Sequence, residues 1–219
     1  MLFRSRPLRL VNTRVFPSGV VLLVYHPESE MPTSQYAQPG YYTWTREQVR
    51  SLQAAQNTDR VLATVLFTDI VDSTQRAAEL GDREWRKLLD RHDQVSRAEV
   101  TRWHGTVVKT TGDGLLATFD APTRALRCAF GLKESLAALG LKIRAAIHTG
   151  EIEMREGDIG GIGVHIASRA LAEAGGDAVV VTRTVRDLAT GTDLAFKPLG
   201  SVGLRGVPGE WELFEASVG

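Results

Sequence analysis

Residues 63–74 read Ala63-Thr-Val-Leu-Phe-Thr-Asp-Ile-Val-Asp-Ser-Thr74. The first half is an apolar, β-branched run, the signature of a buried strand. Asp69 interrupts it with a carboxylate where the chain should be interior. The run then gives way to Asp72, Ser73 and Thr74, residue types that cap helix N-termini. One short segment thus sets a carboxylate, costly to bury, at a strand end and aims backbone N–H groups at the same place. That combination suits a metal ion carrying a phosphate.

Downstream of this strand the pattern predicts a long helical region. Trp85, Leu88, Leu89, His92, Val95, Glu99 and Trp103 fall mostly at three- and four-residue steps, Gly81-Asp82 divides the region, and His104-Gly105 ends it. Thr106 to Thr111 and Leu115 to Phe119 read as a hairpin around Gly112-Asp113-Gly114. Pro122 to about Leu139 reads as a helix with Pro in its first turn. A strand from Leu141 to His148, a strand-edge loop from Gly150 to Asp158 and a helix from Val164 to Ala174 follow. Ala178 to Val181 then reads as a strand and Thr184 to Leu188 as a helical turn. Strands at about Phe196 to Leu204 and Trp211 to Ala216 finish the chain. The fold class is α+β: a ferredoxin-like βαββαβ sandwich with additional C-terminal strands. Strands neighbouring in sequence are expected to pair antiparallel, with the helices on one face.

Upstream, residues 1–58 form an appendage and linker of no evident chemistry, and residues 59–219 form the main domain. In the appendage, Leu8 to Val15 and Val20 to Tyr25 read as strands around Pro17-Ser18-Gly19, and Thr45 to about Gln56 reads as a short helix.

Bulk properties narrow the function. The 219 residues are 43% hydrophobic and 24% charged, ordinary for a globular protein. Lys and Arg (26) balance Asp and Glu (26), so no basic field points to nucleic acid. A lone cysteine, Cys128, excludes an intramolecular disulfide. No apolar run approaches the roughly 20 residues of a membrane span, and no secretory leader is read. The expected location is cytoplasmic.

Asp113, at the hairpin tip, supplies a second carboxylate. A hairpin beside the first strand brings it next to Asp69. Two carboxylates converging beside helix N-terminal amides make a platform for Mg²⁺ or Mn²⁺, which prefer oxygen ligands and leave room for phosphate oxygens. Taken singly, an Asp-Gly pair in a hairpin is a common turn, and an Asp at a strand end is a common cap.

Three stretches carry a family resemblance: residues 67–74, residues 109–113 (Lys-Thr-Thr-Gly-Asp) and residues 158–169 (Asp-Ile-Gly-Gly-Ile-Gly-Val-His-Ile-Ala-Ser-Arg). Together they resemble the catalytic domain of the class III nucleotidyl cyclases, over about Arg60 to Ala216. The resemblance implies formation of a 3′,5′-cyclic nucleotide from a nucleoside triphosphate. It implies two Mg²⁺ or Mn²⁺ ions per site and active sites shared in a head-to-tail homodimer. Asp69 and Asp113 would be the metal carboxylates, with the Ile70 carbonyl as a further ligand. Ser73 and Thr74 would meet the β- and γ-phosphates through backbone N–H groups. Lys109 and Asp158 occupy base-selecting positions, and Arg169 the position that supports the transition state. Arg205 is a weaker match to a basic residue that holds the phosphates. His165 stands where many members have Asn, one helical turn before Arg169.

Chemistry speaks to the base as well. Adenine offers an acceptor at N1 and an amino donor at N6. Lys109 only donates and an ionised Asp158 only accepts, so the pair complements adenine and opposes guanine. ATP is the expected substrate and adenylate cyclase the expected activity. The alternative is a cyclase-like domain that binds nucleotide and turns it over weakly or not at all, for which His165 is the motive.

Overall fold

The computed structural model describes residues 8–15, 21–27, 60–155 and 157–219. The chain divides into two units, Met1–Leu52 and Gln53–Gly219. In the first, β1 (Leu8–Val15) pairs antiparallel with β2 (Val21–Pro27), with a register shift between Leu10 and Asn12. The turn expected between them and the helix expected near Thr45 lie outside the described residues.

The second unit opens with β3 (Arg60–Ile70), then α1 (Ser73–Leu80), α2 (Asp82–Arg102), β4 (Thr106–Thr110) and β5 (Gly114–Phe119). It continues through α3 (Pro122–Ala137), β6 (Ile143–Arg155), β7 (Asp158–Gly160) and α4 (Ile162–Ala172). β8 (Val179–Thr182), α5 (Arg183–Leu188), β9 (Leu194–Val202) and β10 (Trp211–Val218) complete it. The strands form one sheet in the order β4-β5-β3-β6-β8-β10-β9, with β7 paired to β6. The first four are the ferredoxin-like part, and β8 to β10 are the C-terminal addition.

Two expectations about this sheet need correction. The strands read at 141–148 and 178–181, consecutive in the sequence reading, do not pair antiparallel: as β6 and β8 they run parallel, because α4 carries the chain back over the sheet between them. Nor do the helices share one face. Leu66 and Ile70 of β3 pack with Val100 of α2, Leu126 of α3 and Val185 of α5. Val65 packs on the opposite side with Ala167 of α4, and Ala170 of α4 packs with Ala146 and Val180. The first strand is buried on both faces, which is why it reads as a continuous apolar run and not as an alternation.

A third correction concerns residues 150–158. They are not an edge loop. β6 runs on to Arg155, with Gly150 to Glu153 paired against Ala63 to Arg60, and then turns back as β7. Ile152, buried between exposed Glu151 and half-buried Glu153, carries the two-residue period of a strand. The break between α1 and α2 is at Gly81, whose φ of 75° needs glycine. Among the described residues no helix is long and apolar enough to cross a membrane.

Candidate active site

The strand end and the hairpin tip meet as the sequence leads one to expect. Asp69 lies opposite Gly114 of β5, and the Ile70 N–H donates to the Asp113 carbonyl at 3.0 Å. The turn closes with Thr111 N–H on the Gly114 carbonyl at 2.9 Å. A Cβ at residue 114 would stand 2.2 Å from the Thr68 carbonyl oxygen, so only glycine lets the hairpin approach β3 this closely. The chain enters α1 through Asp72, in a left-handed conformation with φ 56°. In that conformation the Asp72 side chain makes no cap bond. The cap expected of residues 72–74 is therefore not formed by Asp72, and the Ser73 hydroxyl is spent elsewhere: it donates to Asp113 Oδ2 at 2.5 Å.

Asp69 is held from the other side of β3. Arg144 of β6 lies opposite it in register and donates to Oδ2 from Nε at 3.1 Å and from Nη2 at 2.6 Å. Sequence spacing did not single out Arg144. Its signal is the cross-strand register, visible only once β6 is known to pair with β3. The pair offsets part of the charge that two neighbouring carboxylates create.

The base-selecting candidates are also in contact. Lys109 Nζ donates to both oxygens of Asp158, at 2.8 and 2.6 Å, and the Ile159 N–H holds Asp158 Oδ1 at 2.8 Å. The register of β4 brings this about. Val107 opposes Ala117, but both Val108 and Lys109 fall against Leu116, a bulge of one residue. Leu116 and Val108 belong to the α4 side of the sheet. The extra residue therefore turns Lys109 to the α4 side, where it reaches Asp158. In an unbulged strand Lys109 would oppose Leu115 and face α2 and α3.

His165 and Arg169 are both exposed on α4, one turn apart, and Arg205 is exposed in the loop between β9 and β10. None of the three makes a side-chain hydrogen bond or ion pair among the described residues. The structure thus brings Asp69, Ile70, Ser73 and Asp113 together and Lys109 to Asp158, and leaves the other three reaching outward. Thr74, beside Ser73, is exposed at the same helix start. It lines a shallow cavity of about 350 Å³ with Ser73, Ala77, Trp85, Leu89, Gly112 and Asp113.

A divalent ion of the hard, oxygen-seeking kind fits this donor set. Oδ1 of Asp69 and Oδ1 of Asp113 accept no hydrogen bond among the described residues, and both are carboxylate oxygens.

Two further buried side chains take structural places. His148 is buried, its Nδ1 is 2.9 Å from Thr182 Oγ1, and its ring meets Trp211 edge-on. Burial pushes its pKa down to about 4. Cys128 is fully buried in the α2 and α3 side of the core. Burial, aided by the charge of Glu99, pushes its thiol up to about 12.

Residues 54–215 match the model of the adenylate and guanylate cyclase catalytic domain. Among curated proteins, the chain is 32% identical over 137 residues to putative adenylate cyclase 3 of Rhizobium meliloti, covering 58% of this chain and 23% of that protein. It is 32% identical over 149 residues to an adenylate cyclase of Streptomyces coelicolor, covering 64% of this chain and 39% of that protein. The chain thus spans well under half the length of these relatives. Among solved structures, the adenylyl cyclase CyaB from P. aeruginosa superposes with a TM-score of 0.66 at 18% identity, over 72% of this chain and 94% of that one.

Proposed function

The chain belongs to the adenylate and guanylate cyclase catalytic domain family, and on that premise we propose that it is an adenylate cyclase. It converts ATP to 3′,5′-cyclic AMP and pyrophosphate in sites shared by two copies. The family generally uses divalent metal ions. In this reading Asp69, Asp113 and the Ile70 carbonyl hold two of them, Mg²⁺ or Mn²⁺. Bound there, the ions supply the acidity that lowers the pKa of the ribose 3′-OH and the charge that holds the β- and γ-phosphates.

The chain's own residues do the rest. The backbone N–H groups of Ser73 and Thr74, at the start of α1, orient the terminal phosphates. Lys109 donates to adenine N1, and Asp158 accepts from N6. The 3′-hydroxyl gives its proton to solvent water, its oxygen attacks the α-phosphorus in line, and the bond to pyrophosphate breaks. Arg169 of the second copy, with His165, stabilises the charge gathered on the α-phosphate oxygens. Arg205 adds a cation near the phosphates.

The observation that carries the choice of ATP is the contact between Lys109 and Asp158. One flat base edge can engage both at once, as a donor and an acceptor side by side. Opening the pair is cheap, since an exposed ion pair contributes about 0–1 kcal/mol. Guanine would set donor against donor and acceptor against acceptor, at about 1–3 kcal/mol for each buried mismatch.

The test is cyclic nucleotide formation by purified protein from ATP and from GTP, with Mg²⁺ and with Mn²⁺, at two protein concentrations. Cyclic AMP in clear excess, with specific activity rising with concentration as dimers form, is the expected result. Preference for GTP overturns the substrate. Nucleotide binding without turnover favours the second reading, a regulatory cyclase-like domain, for which the exposed His165 is the motive.

A further inference from the structure

Among the described residues, each carboxylate of the candidate metal pair is held through one oxygen. Arg144 takes Oδ2 of Asp69, and Ser73 Oγ donates to Oδ2 of Asp113 at 2.5 Å. On both residues Oδ1 is left without a hydrogen bond among the described residues. We propose that Ser73 is a positioning residue: its hydroxyl fixes the Asp113 carboxylate, occupies Oδ2 and turns Oδ1 toward the divalent ion. This rests on the reading of Asp113 as a metal ligand and adds to it a side-chain role for Ser73, separate from its backbone N–H.

The surrounding backbone explains why the hydroxyl decides. On one side, the Val71 N–H donates to the Lys142 carbonyl at 2.9 Å, and the turn at Asp72 then sets Ser73 as the first residue of α1. On the other, the Asp113 backbone is pinned by Ile70 and its turn by the bond between Thr111 and Gly114. Donor and acceptor are thus fixed by the main chain. What remains free is the Asp113 side chain, flanked in its turn by Gly112 and Gly114, neither of which offers a side chain to pack against it. A hydroxyl on a carboxylate at about 2.5–2.7 Å is a strong, charge-assisted bond, sufficient to select one side-chain conformation. Thr74 cannot replace it, since that side chain is exposed and bonds nothing among the described residues. Nor is Ser73 acting as a helix cap, because its oxygen is directed at the hairpin and not at the helix amides.

The experiment measures Mn²⁺ binding to the full chain without nucleotide, by electron paramagnetic resonance or calorimetry, beside the metal-free thermal melt of each variant. Ser73→Ala is expected to weaken Mn²⁺ about 10–100-fold, the usual effect of losing a group that orients a ligand, with its metal-free melt unchanged. Ser73→Thr, which keeps the hydroxyl, is expected to restore binding to within about three-fold. If Ser73→Ala lowers the metal-free melt, Ser73→Cys, close in volume but a poor donor, carries the comparison and is expected to show the same weakening. Asp113→Asn separates the two levels. If it binds Mn²⁺ like the wild type, Asp113 is not a ligand, and both the reading and the role of Ser73 fall. If Asp113→Asn loses binding while Ser73→Ala and Ser73→Cys keep wild-type affinity, the reading stands and the positioning role is overturned.

Discussion

Lys109 and Asp158 lie 49 positions apart and are hydrogen-bonded; if they select the base as proposed, the preference should follow their polarity and not their identity. Exchanging the two charges, as Lys109→Glu with Asp158→Lys, offers an acceptor to guanine N1 and a donor to guanine O6. The double variant is expected to move the ratio of cyclic GMP to cyclic AMP toward GTP by at least ten-fold, while each single variant loses activity on both nucleotides. Competing ATP and GTP in one assay measures the ratio. An unchanged ratio would separate this pair from base selection. His148 gives a residue-scale expectation of another kind. Its folded pKa of about 4 lies below the 6.5 of the free side chain. Between those values the unfolded chain binds a proton that the folded one refuses, so stability falls as pH drops from about 6.5 to about 4 and from this cause no further below. The full effect is on the order of 3 kcal/mol. Urea midpoints across pH 4–7 should show the slope, and His148→Gln should flatten it. At this scale the sequence was legible wherever a residue type is costly in its place, as with Asp69 in a buried strand. Arg144 was not legible, because an arginine at a strand start is ordinary until the opposing strand and register are known.

Elements succeed or fail by their neighbours. The long helices, the hairpin and the first strand follow from local period and punctuation, and their ends sit within a few residues of where Gly81, Gly105 and Pro122 put them. What local pattern does not carry is which face an element covers. α4 buries Ala167 and Ala170, small residues whose weak apolar signal does not say which side of the sheet they meet. The β4 bulge is similarly silent, since Val107 and Val108 look alike in sequence and differ only in what opposes them. Yet that bulge brings Lys109 to Asp158. The β3–β5 contact offers the element-scale experiment. Gly114→Ala puts a methyl within 2.2 Å of a backbone oxygen, so the hairpin must draw back from β3. The expected cost is about 1–3 kcal/mol, read as a lowered urea midpoint. A larger loss of cyclase activity is expected alongside it, because Asp113 moves with the turn. Gly112→Ala, at a φ of 92° but in open space, should strain the turn without displacing β5 and therefore lose less activity than Gly114→Ala. Equal losses would show that turn conformation, and not the strand contact, sets the position of Asp113.

For the molecule as a whole, the two halves of the proposed chemistry make no hydrogen bond or ion pair with each other among the described residues of one chain. Asp69 and Asp113 stand at the ends of β3 and the hairpin, while His165 and Arg169 project from α4 with no partner among those residues. The α4 side of the sheet also leaves apolar side chains uncovered toward the start of β3: Val61 and Met154 are more than 40% exposed, and Ile162 is 51% exposed. A second copy docked on that side would cover them and bring its arginine to the first copy's nucleotide. A twofold dimer then holds two equivalent sites, each built from both chains. Complementation tests this without any structure of the dimer. Asp69→Ala and Arg169→Ala should each be inactive alone. Mixed and allowed to exchange, about half of the dimers pair one variant with the other, and each of these rebuilds one of its two sites, so about a quarter of wild-type activity should return. The recovered activity should fall when either variant is in large excess, because mixed dimers then become rare. If sedimentation confirms that mixed dimers form and no activity returns, the sites are not shared. If Arg169→Ala alone keeps near-full activity, the proposed support for the α-phosphate lies elsewhere, and His165 becomes the first residue to replace.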